Sequence, residues 1–306
     1  MRVHTPTPTA TPTPTPTPPR ARQPASPLAT RAGRAWRRWR NPIGLVGAAI
    51  VLATVLVAVA APLLAAYDPS SQASKRLLGP SLSHLMGTDE LGRDTFARIV
   101  YGARVSLQVG AVAVGIAVVV GSVLGLLTGY YGGRVDDVLM RLVDIMFAFP
   151  GVMLAIVISG LLGPSRNNAM IAIGIVYAPA FARVVRGAVL GVKAEPYVEA
   201  ARVIGASNGR MLRWHVLPNI TAPLIVLVSV YLSQAILSEA ALSFLGLGTQ
   251  PPEPSWGGML NAARQYMELS PWMAVFPGLA IMLVVMGFNF LGDGLRDVLD
   301  PRLRSL

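Results

Sequence analysis

One acidic residue lies deep in an apolar run of this sequence. Glu239 falls within residues 221–245, in the stretch AILSEAALSF, and is the only charged residue of that run. If the run lies in a bilayer, an ionised side chain at its centre costs roughly 2.5 kcal/mol or more unless it faces protein or water. Two interpretations follow: Glu239 lines a polar path, or it makes an interhelical hydrogen bond with its carboxyl protonated.

A longer polar stretch interrupts the apolar second half of the chain at 197–219, YVEAARVIGASNGRMLRWHVLPN. Pro196 suits the first turn of a helix, and Gly205 suits its C-terminal exit. Ser207 is a candidate N-cap for a second short helix that ends before Pro218. The stretch therefore predicts two short helices that meet at a glycine on the surface of the protein.

The first of these helices is expected to be amphipathic. Tyr197, Ala201 and Ile204 fall on one face, and Glu199 and Arg202 fall elsewhere on the cylinder. Such a segment either receives another protein or lies on the membrane surface, as amphipathic segments often do. The residues alone leave both alternatives open.

The sequence contains little that could perform catalysis. It has no cysteine, which excludes disulfides, zinc–thiolate sites and thiol nucleophiles, and its three histidines are scattered. It also lacks the pattern GxxxxGK[ST], whose backbone would cradle the phosphates of ATP. The apolar runs show no paired nucleophile and base. We therefore predict no catalytic residue, no cofactor and no metal site.

The composition indicates a membrane protein. Hydrophobic residues make up 53% of the chain and charged residues only 13%, whereas a soluble domain has roughly a quarter of its residues charged. A span needs about 20 apolar residues, and five runs are long enough: 43–66, 105–130, 144–162, 221–245 and 272–292. A sixth run, 169–182, is short and contains Pro179, so by length it either crosses or re-enters.

The distribution of basic residues favours six spans. With the N-terminus inside, six spans place 19 of the 26 Lys and Arg residues on the inner side and 7 outside. If residues 169–182 did not cross, 11 would lie inside and 15 outside. Because basic residues concentrate on the cytoplasmic side, we expect an all-α integral membrane protein with both termini and segment 197–219 in the cytoplasm. This pattern also accounts for the net charge of +11 without nucleic-acid binding.

The polar stretch carries a recognisable motif. Residues 199–218, EAARVIGASNGRMLRWHVLP, resemble the EAA motif of the permeases of ABC importers. The matching residues are Glu199, Ala200, Ala201, Gly205, Leu217 and Pro218. His215 stands where the general motif has isoleucine. Segments 84–107, 241–260 and 271–304 are similar to the C-type subunit of the dipeptide/oligopeptide/nickel permease family, and the similarity covers about residues 41–306.

This resemblance implies a type I ABC importer permease fold. It also implies that residues 196–218, the coupling loop, seat in a cleft of an ATP-binding subunit. The partners expected are a second permease chain in a heterodimer, two ATP-binding cassette ATPase subunits, an extracytoplasmic solute-binding protein and the bilayer of the cytoplasmic membrane. The implied solute is a di- or oligopeptide, whose amino group Glu239 would meet on the translocation path.

Two other functions stay open at this point. The same machinery could import nickel or another small solute, since specificity rests largely with the binding protein. A self-sufficient transporter driven by an ion gradient would need repeated intramembrane ionisable residues and internal symmetry. The sequence shows one deep carboxylate, Glu239, and no convincing repeat, which disfavours that alternative.

The chain divides into four predicted parts: a disordered, basic Thr/Pro-rich cytoplasmic tail (1–40), the first span with an external segment (41–104), a five-helix permease domain (105–295) and a cytoplasmic C-terminal tail (296–306). Residues 94–104 are expected to form an interfacial helix before the second span.

Three further expectations concern particular side chains. Asp144 is expected to form an ion pair with Arg141. Asn289 and Asp293 are expected to bond across helices or to a partner subunit. A packing face is expected at Gly110, Gly115, Gly121 and Gly125.

Overall fold

The computed structural model describes residues 42–72 and 74–299, and its regular elements are helices. They are α1 (Pro42–Val59), α2 (Ala61–Leu64), α3 (Thr95–Tyr131), α4 (Gly133–Phe147), α5 (Gly151–Leu162), α6 (Arg166–Lys193), α7 (Pro196–Val203), α8 (Asn208–Met211), α9 (Leu217–Phe244), α10 (Trp256–Ala263) and α11 (Trp272–Leu299). The all-α prediction is confirmed. The predicted tail 1–40 lies outside the described residues, as does 300–306, whereas 296–299 continue α11.

Five helices in the described part of the chain are long and apolar enough to cross a membrane. They are α1, α3, α6, the continuous segment Asn208–Phe244 that contains α9, and α11. The bent pair α4–α5 gives a sixth crossing if it counts as one broken span. Segment 169–182, ambiguous by length, forms the centre of the 28-residue α6, which continues through Pro179.

The third predicted span is broken. The sequence predicts one helix over 144–162, but α4 ends at Phe147, α5 begins at Gly151, and the two meet at 94°. Residues 147–151 are called the bend below. Pro150 explains the break, because it lacks an N–H and disfavours helical backbone in the residue before it. The prediction of a single helix over 144–162 is therefore wrong, although the bent pair still gives a crossing if it counts as one broken span.

The ion pair predicted for the start of this run is also wrong. Asp144 does not pair with Arg141 three residues earlier on its own helix. Its Oδ1 lies 2.8 Å from Nη2 of Arg183, on α6. The guanidinium of Arg183 also lies over the ring of Phe147, 4.2 Å from its centroid. Arg183 therefore holds the end of α4 against α6.

Helices α3 and α6 pack closely along part of the predicted glycine face. A Cβ on Gly121 or Gly125 would collide with the backbone of α6 near Ala178 and Ala182. Small residues allow this close approach between helices in lipid. Gly115, by contrast, faces open space. Only part of the predicted face is therefore an interface with α6.

Polar contacts also link the helices. Ser233 of α9 donates from its Oγ to Oδ1 of Asn289 on α11, at 3.0 Å. This confirms the prediction that Asn289 bonds across helices. Two residues further along α11, α1 approaches so closely that a Cβ on Gly47 would overlap the backbone of Leu291. The first span is therefore packed on the last.

The segment between α2 and α3 contains buried charged side chains. Asp89 and Arg93 are both buried and join through Oδ2 and Nε at 2.6 Å. Nη1 of Arg98 donates to the carbonyl of Pro69 at 3.1 Å. This polar cluster fixes the segment to the start of α3.

Asp94 ends this segment and begins α3. Its Oδ1 accepts from the backbone N–H of Ala97 at 2.8 Å, which is an N-cap. Its Oδ2 lies 2.8 Å from Nδ1 of His84. From this cap α3 runs unbroken through residues 104 and 105 to Tyr131. Residues 94–104 are thus the cap and first turns of α3 rather than a separate interfacial helix, and the predicted domain limit falls within it.

Candidate functional site

The coupling loop begins as the sequence predicts. Pro196 occupies the first turn of α7, which ends at Val203. Gly205 then adopts a φ of +84°, a conformation that side-chain-bearing residues rarely take. A Cβ at this position would meet no atom within 4 Å, so lack of space does not explain the glycine. The backbone conformation of the turn is what requires it. The first helix and the glycine turn are confirmed.

The second helix differs from the prediction. It does not end before Pro218 but passes from α8 through a π-helical turn, Leu212–Val216, into α9. Pro218 lies in the first turn of α9, where its missing N–H is best tolerated. Ser207 occupies the N-cap position with extended backbone, yet its side chain makes no capping bond. The coupling loop is therefore continuous with a membrane-spanning helix.

An apolar cluster anchors the coupling loop beneath its surface. Val198, Met211 and Val216 are buried and pack with Val185 and Val189 of α6. Val198 does not belong to the face of Tyr197, Ala201 and Ile204 that was identified from the sequence. Of that face, Ala201 is partly buried in the cluster, whereas Tyr197 and Ile204 are exposed.

Polar contacts fix the loop to the end of α3. Tyr130 donates from its Oη to Oδ1 of Asn208 at 2.8 Å. Nζ of Lys193 donates to the carbonyls of Tyr130 and Gly129, at 2.6 and 3.2 Å. A cation at the C-terminus of a helix also interacts favourably with the helix dipole. The loop, α3 and the end of α6 are thus held together.

The outer surface of the coupling loop carries the motif residues and an exposed apolar patch. Of the motif residues, Glu199, Ala200, Gly205, Leu217 and Pro218 are exposed and Ala201 is partly buried. Three large apolar side chains of the loop, together called the patch, are exposed: Val203 by 82%, Ile204 by 84% and Trp214 by 68%. Sequence reasoning named Ile204 but not Val203 or Trp214. The only sequence signal of Val203 and Trp214 is that they are large apolar residues within a polar stretch. Such patches on a surface mark interaction sites.

A chamber of about 350 Å³ lies between the bend, α6 and α9. Its lining residues are Met146, Phe147, Phe149, Gly151, Val176, Tyr177, Pro179, Ala180, Val230, Tyr231 and Gln234. Tyr177 donates from its Oη to the carbonyl of Gln234 at 3.0 Å, and its ring meets that of Tyr231 edge-on at 4.8 Å. Sequence reasoning missed these residues because they are uncharged and come from distant parts of the chain.

Glu239 does not line this chamber. Its side chain is fully buried, and its Oε1 accepts from Oγ of Ser243 at 2.7 Å and from Oγ1 of Thr249 at 3.4 Å. Ser243 lies one turn further along α9, and Thr249 belongs to the loop that follows. The carboxyl therefore joins α9 to the loop that follows this helix. Neither sequence interpretation of Glu239 specifies this contact.

The described residues contain no group of three or more His, Asp or Glu side chains that could hold a metal ion. What they offer instead is an exposed, well-anchored loop at one end of the bundle and a chamber with aromatic walls. This arrangement can receive a partner protein and accommodate a small solute.

In a comparison with known proteins, two family models match this chain, one near its N-terminus and one over the larger remaining part. A family model described as "Binding-protein-dependent transport system inner membrane component" matches residues 121–305, and one described as "N-terminal TM domain of oligopeptide transport permease C" matches residues 30–80. The dipeptide transport system permease protein DppC of Alkalihalophilus pseudofirmus is 50% identical over 267 residues, which are 87% of this chain and 88% of the relative.

A second relative has a different named solute. The glutathione transport system permease protein GsiD of Pectobacterium atrosepticum is 45% identical over 273 residues, covering 88% of this chain and 91% of the relative. Among solved structures, an inward-facing methionine ABC transporter, MetNI, matches with a TM-score of 0.54 at 20% identity. The match covers 66% of this chain and 97% of that chain, and it shows a shared fold.

Proposed function

We propose that this chain moves small peptides across the membrane. The premise is that it belongs to the family of binding-protein-dependent transport system inner membrane components. The chain is a multi-pass permease subunit of the cytoplasmic membrane. The names of its relatives refer to dipeptides and to glutathione, both of which are peptides. A di- or oligopeptide is therefore the solute that we propose for this chain.

The energy for transport comes, in this proposal, from separate ATPase subunits. The sequence holds no P-loop for ATP phosphates. The complete transporter would combine this chain with a second permease, two ATP-binding cassette subunits and an extracytoplasmic solute-binding protein. The bias of basic residues supports placing both termini and the coupling loop in the cytoplasm, on the side of the ATPases.

The observation that carries the proposal is the exposed patch on the anchored coupling loop. Val203, Ile204 and Trp214 offer an apolar surface to an ATPase subunit. Behind them, Val198 and Asn208 connect the loop to α6 and α3. A movement of the ATPase cleft would therefore be transmitted to the spans. The bundle would have two arrangements, and the binding of nucleotide and of loaded binding protein would shift the balance between them. This exchange between two arrangements is alternating access.

The test is to place a charge on the patch. We expect Ile204→Asp to insert normally but to lose co-purification with the ATPase subunits, ATPase activity stimulated by loaded binding protein, and peptide uptake. Leu82→Asp is the matched control for co-purification with the ATPase subunits, since Leu82 is 99% exposed and lies in the predicted external segment. Normal co-purification and uptake by Ile204→Asp would overturn the proposal, as would solute movement by the purified chain alone.

A further inference from the structure

The chamber combines hydrogen-bonding groups with an absence of charge. All of its described lining residues are neutral, and the polar ones are Tyr177, Tyr231 and Gln234. The charged pair at its edge is internally compensated, because Arg183 bonds Asp144 at 2.8 Å and covers the ring of Phe147. A solute in the chamber would therefore meet aromatic faces, hydroxyls and an amide, but no unpaired ion among these residues.

The bend supports the inference that the chamber contains water, because residues 147–151 are exposed and not buried in this chain. Residues 148–150 leave the helical conformation between α4 and α5. Non-helical backbone at membrane depth is tolerated only where it is buried in protein or lines a water-filled cavity. Phe149, within this break, and Phe147 and Gly151, on either side of it, line the chamber. An aqueous chamber can admit a solute that carries amides and charged termini.

The side chains that line it match the chemistry of a peptide main chain. The amide of Gln234 offers two donors and an acceptor, and the hydroxyl of Tyr231 can both donate and accept. The hydroxyl of Tyr177 is already bonded to the carbonyl of Gln234 and to Oγ of Ser238, at 3.0 and 2.7 Å, so Tyr177 offers mainly its ring. A peptide group presents one donor and one acceptor. The rings of Tyr177 and Tyr231 provide apolar surface for side chains of varied shape. The volume of about 350 Å³ is near the lower end of the range for small-molecule sites, about 300–1,000 Å³.

We propose that this chamber is the peptide-binding section of the solute path, and that it recognises main-chain amides and apolar side chains without selecting for the solute's charge. The inference rests on the proposed function and adds the mode of recognition. Glu239, the acidic residue that the sequence singled out, supplies no counter-charge to a peptide ammonium here, because its carboxyl is enclosed with Ser243 and Thr249. A dipeptide-sized solute of either charge would be accepted.

The test uses the complete transporter in proteoliposomes with saturating, peptide-loaded binding protein. The probes are Ala-Gln, Ala-Glu and Ala-Lys, which differ mainly in charge, and ATPase activity is recorded in parallel. For the unmodified protein we expect uptake rates within about threefold of one another. Gln234→Glu should slow Ala-Glu relative to Ala-Lys by about tenfold, because like charges repel strongly at close range outside bulk water. Gln234→Lys should shift the ratio in the opposite direction.

Gln265→Glu is the matched control, since Gln265 is exposed and lies outside the spans. It should leave the ratio of Ala-Glu to Ala-Lys unchanged. If both Gln234 variants retain stimulated ATPase activity and show the unmodified ratio, the chamber is not the binding section. A strong charge preference in the unmodified protein would also overturn the inference. Absence of any peptide uptake by the unmodified complex would instead contradict the proposed function.

Discussion

Arg186 and Asp136 form a two-point ion pair between α6 and α4. Nε lies 2.6 Å from Oδ1 and Nη2 lies 2.6 Å from Oδ2. The same helices are linked a second time by Arg183 and Asp144. The planar guanidinium matches a carboxylate in this geometry, which an ammonium cannot reproduce. Two arginines of α6 therefore link α4, which leads into the bend, to α6.

The Arg186–Asp136 pair should show energetic coupling. We expect Arg186→Ala and Asp136→Ala each to lower the thermal unfolding temperature of the purified protein, with a coupling energy of about 1 kcal/mol in a double-mutant cycle. Arg186→Lys should recover only part of the loss, because lysine cannot make both bonds. Strictly additive single substitutions would show that the pair does not stabilise the position of α4.

Gly205 should be sensitive to any side chain. Because its φ is +84°, Gly205→Ala forces a left-handed conformation that costs roughly 1–2 kcal/mol. We expect normal insertion but a severalfold loss of ATPase activity stimulated by loaded binding protein. Gly209→Ala is the control, since Gly209 lies in α8, has no positive φ and faces open space. Equal activity of the two variants would argue against a required turn at Gly205.

Close packing of α3 on α6 predicts a contrast between two glycines of one helix. Gly121→Val should reduce the amount of folded protein in the membrane and its unfolding temperature, at a cost of about 1–3 kcal/mol or more, because the new side chain overlaps α6 at Ala178 and Phe181. Gly115→Val should cause little change, since no atom lies within 4 Å of its Cβ position. Similar effects at both positions would contradict this interface.

Glu239 should serve stability more than recognition. Glu239→Gln keeps an acceptor for Ser243 and Thr249, so we expect peptide uptake with an unchanged KM. Glu239→Leu removes the acceptor and should destabilise the protein by about 1–3 kcal/mol, measured by thermal unfolding. A raised KM in Glu239→Gln at unchanged stability would instead place the carboxyl on the solute path, which is one of the two interpretations that the sequence left open.

Local sequence signals predicted the features that depend on neighbouring residues. Long apolar runs identified the spanning helices, and Pro196 and Gly205 marked the start of α7 and the turn after it. The charge distribution favoured a crossing at 169–182, where length was ambiguous, and α6 is a long helix there. These signals work because each can be read from a short segment. The length of an apolar run predicts a span, a proline or glycine restricts the backbone around it, and the charges of a connecting segment indicate its side of the membrane.

Features that depend on packing could not be predicted in this way. The partner of Asp144 is Arg183, 39 residues further along the chain, so spacing on one helix pointed to the wrong arginine. The chamber is built from three separate segments and neutral residues such as Tyr177 and Gln234, which carry no pattern of their own. The prediction of one span over 144–162 makes no use of Pro150, and only the folded bundle shows that the two halves turn by 94°.

The unbroken course of α3 has a mechanical consequence. Its 37 residues extend about 55 Å, well beyond the roughly 30 Å of hydrocarbon that it crosses. The first end of the helix is held by the contact of Asp94 with His84, and the other end is bonded to the coupling loop through Tyr130 and Asn208. Because α3 is one unbroken helix between these contacts, we expect a displacement of the coupling loop to be transmitted along its whole length, across the bilayer.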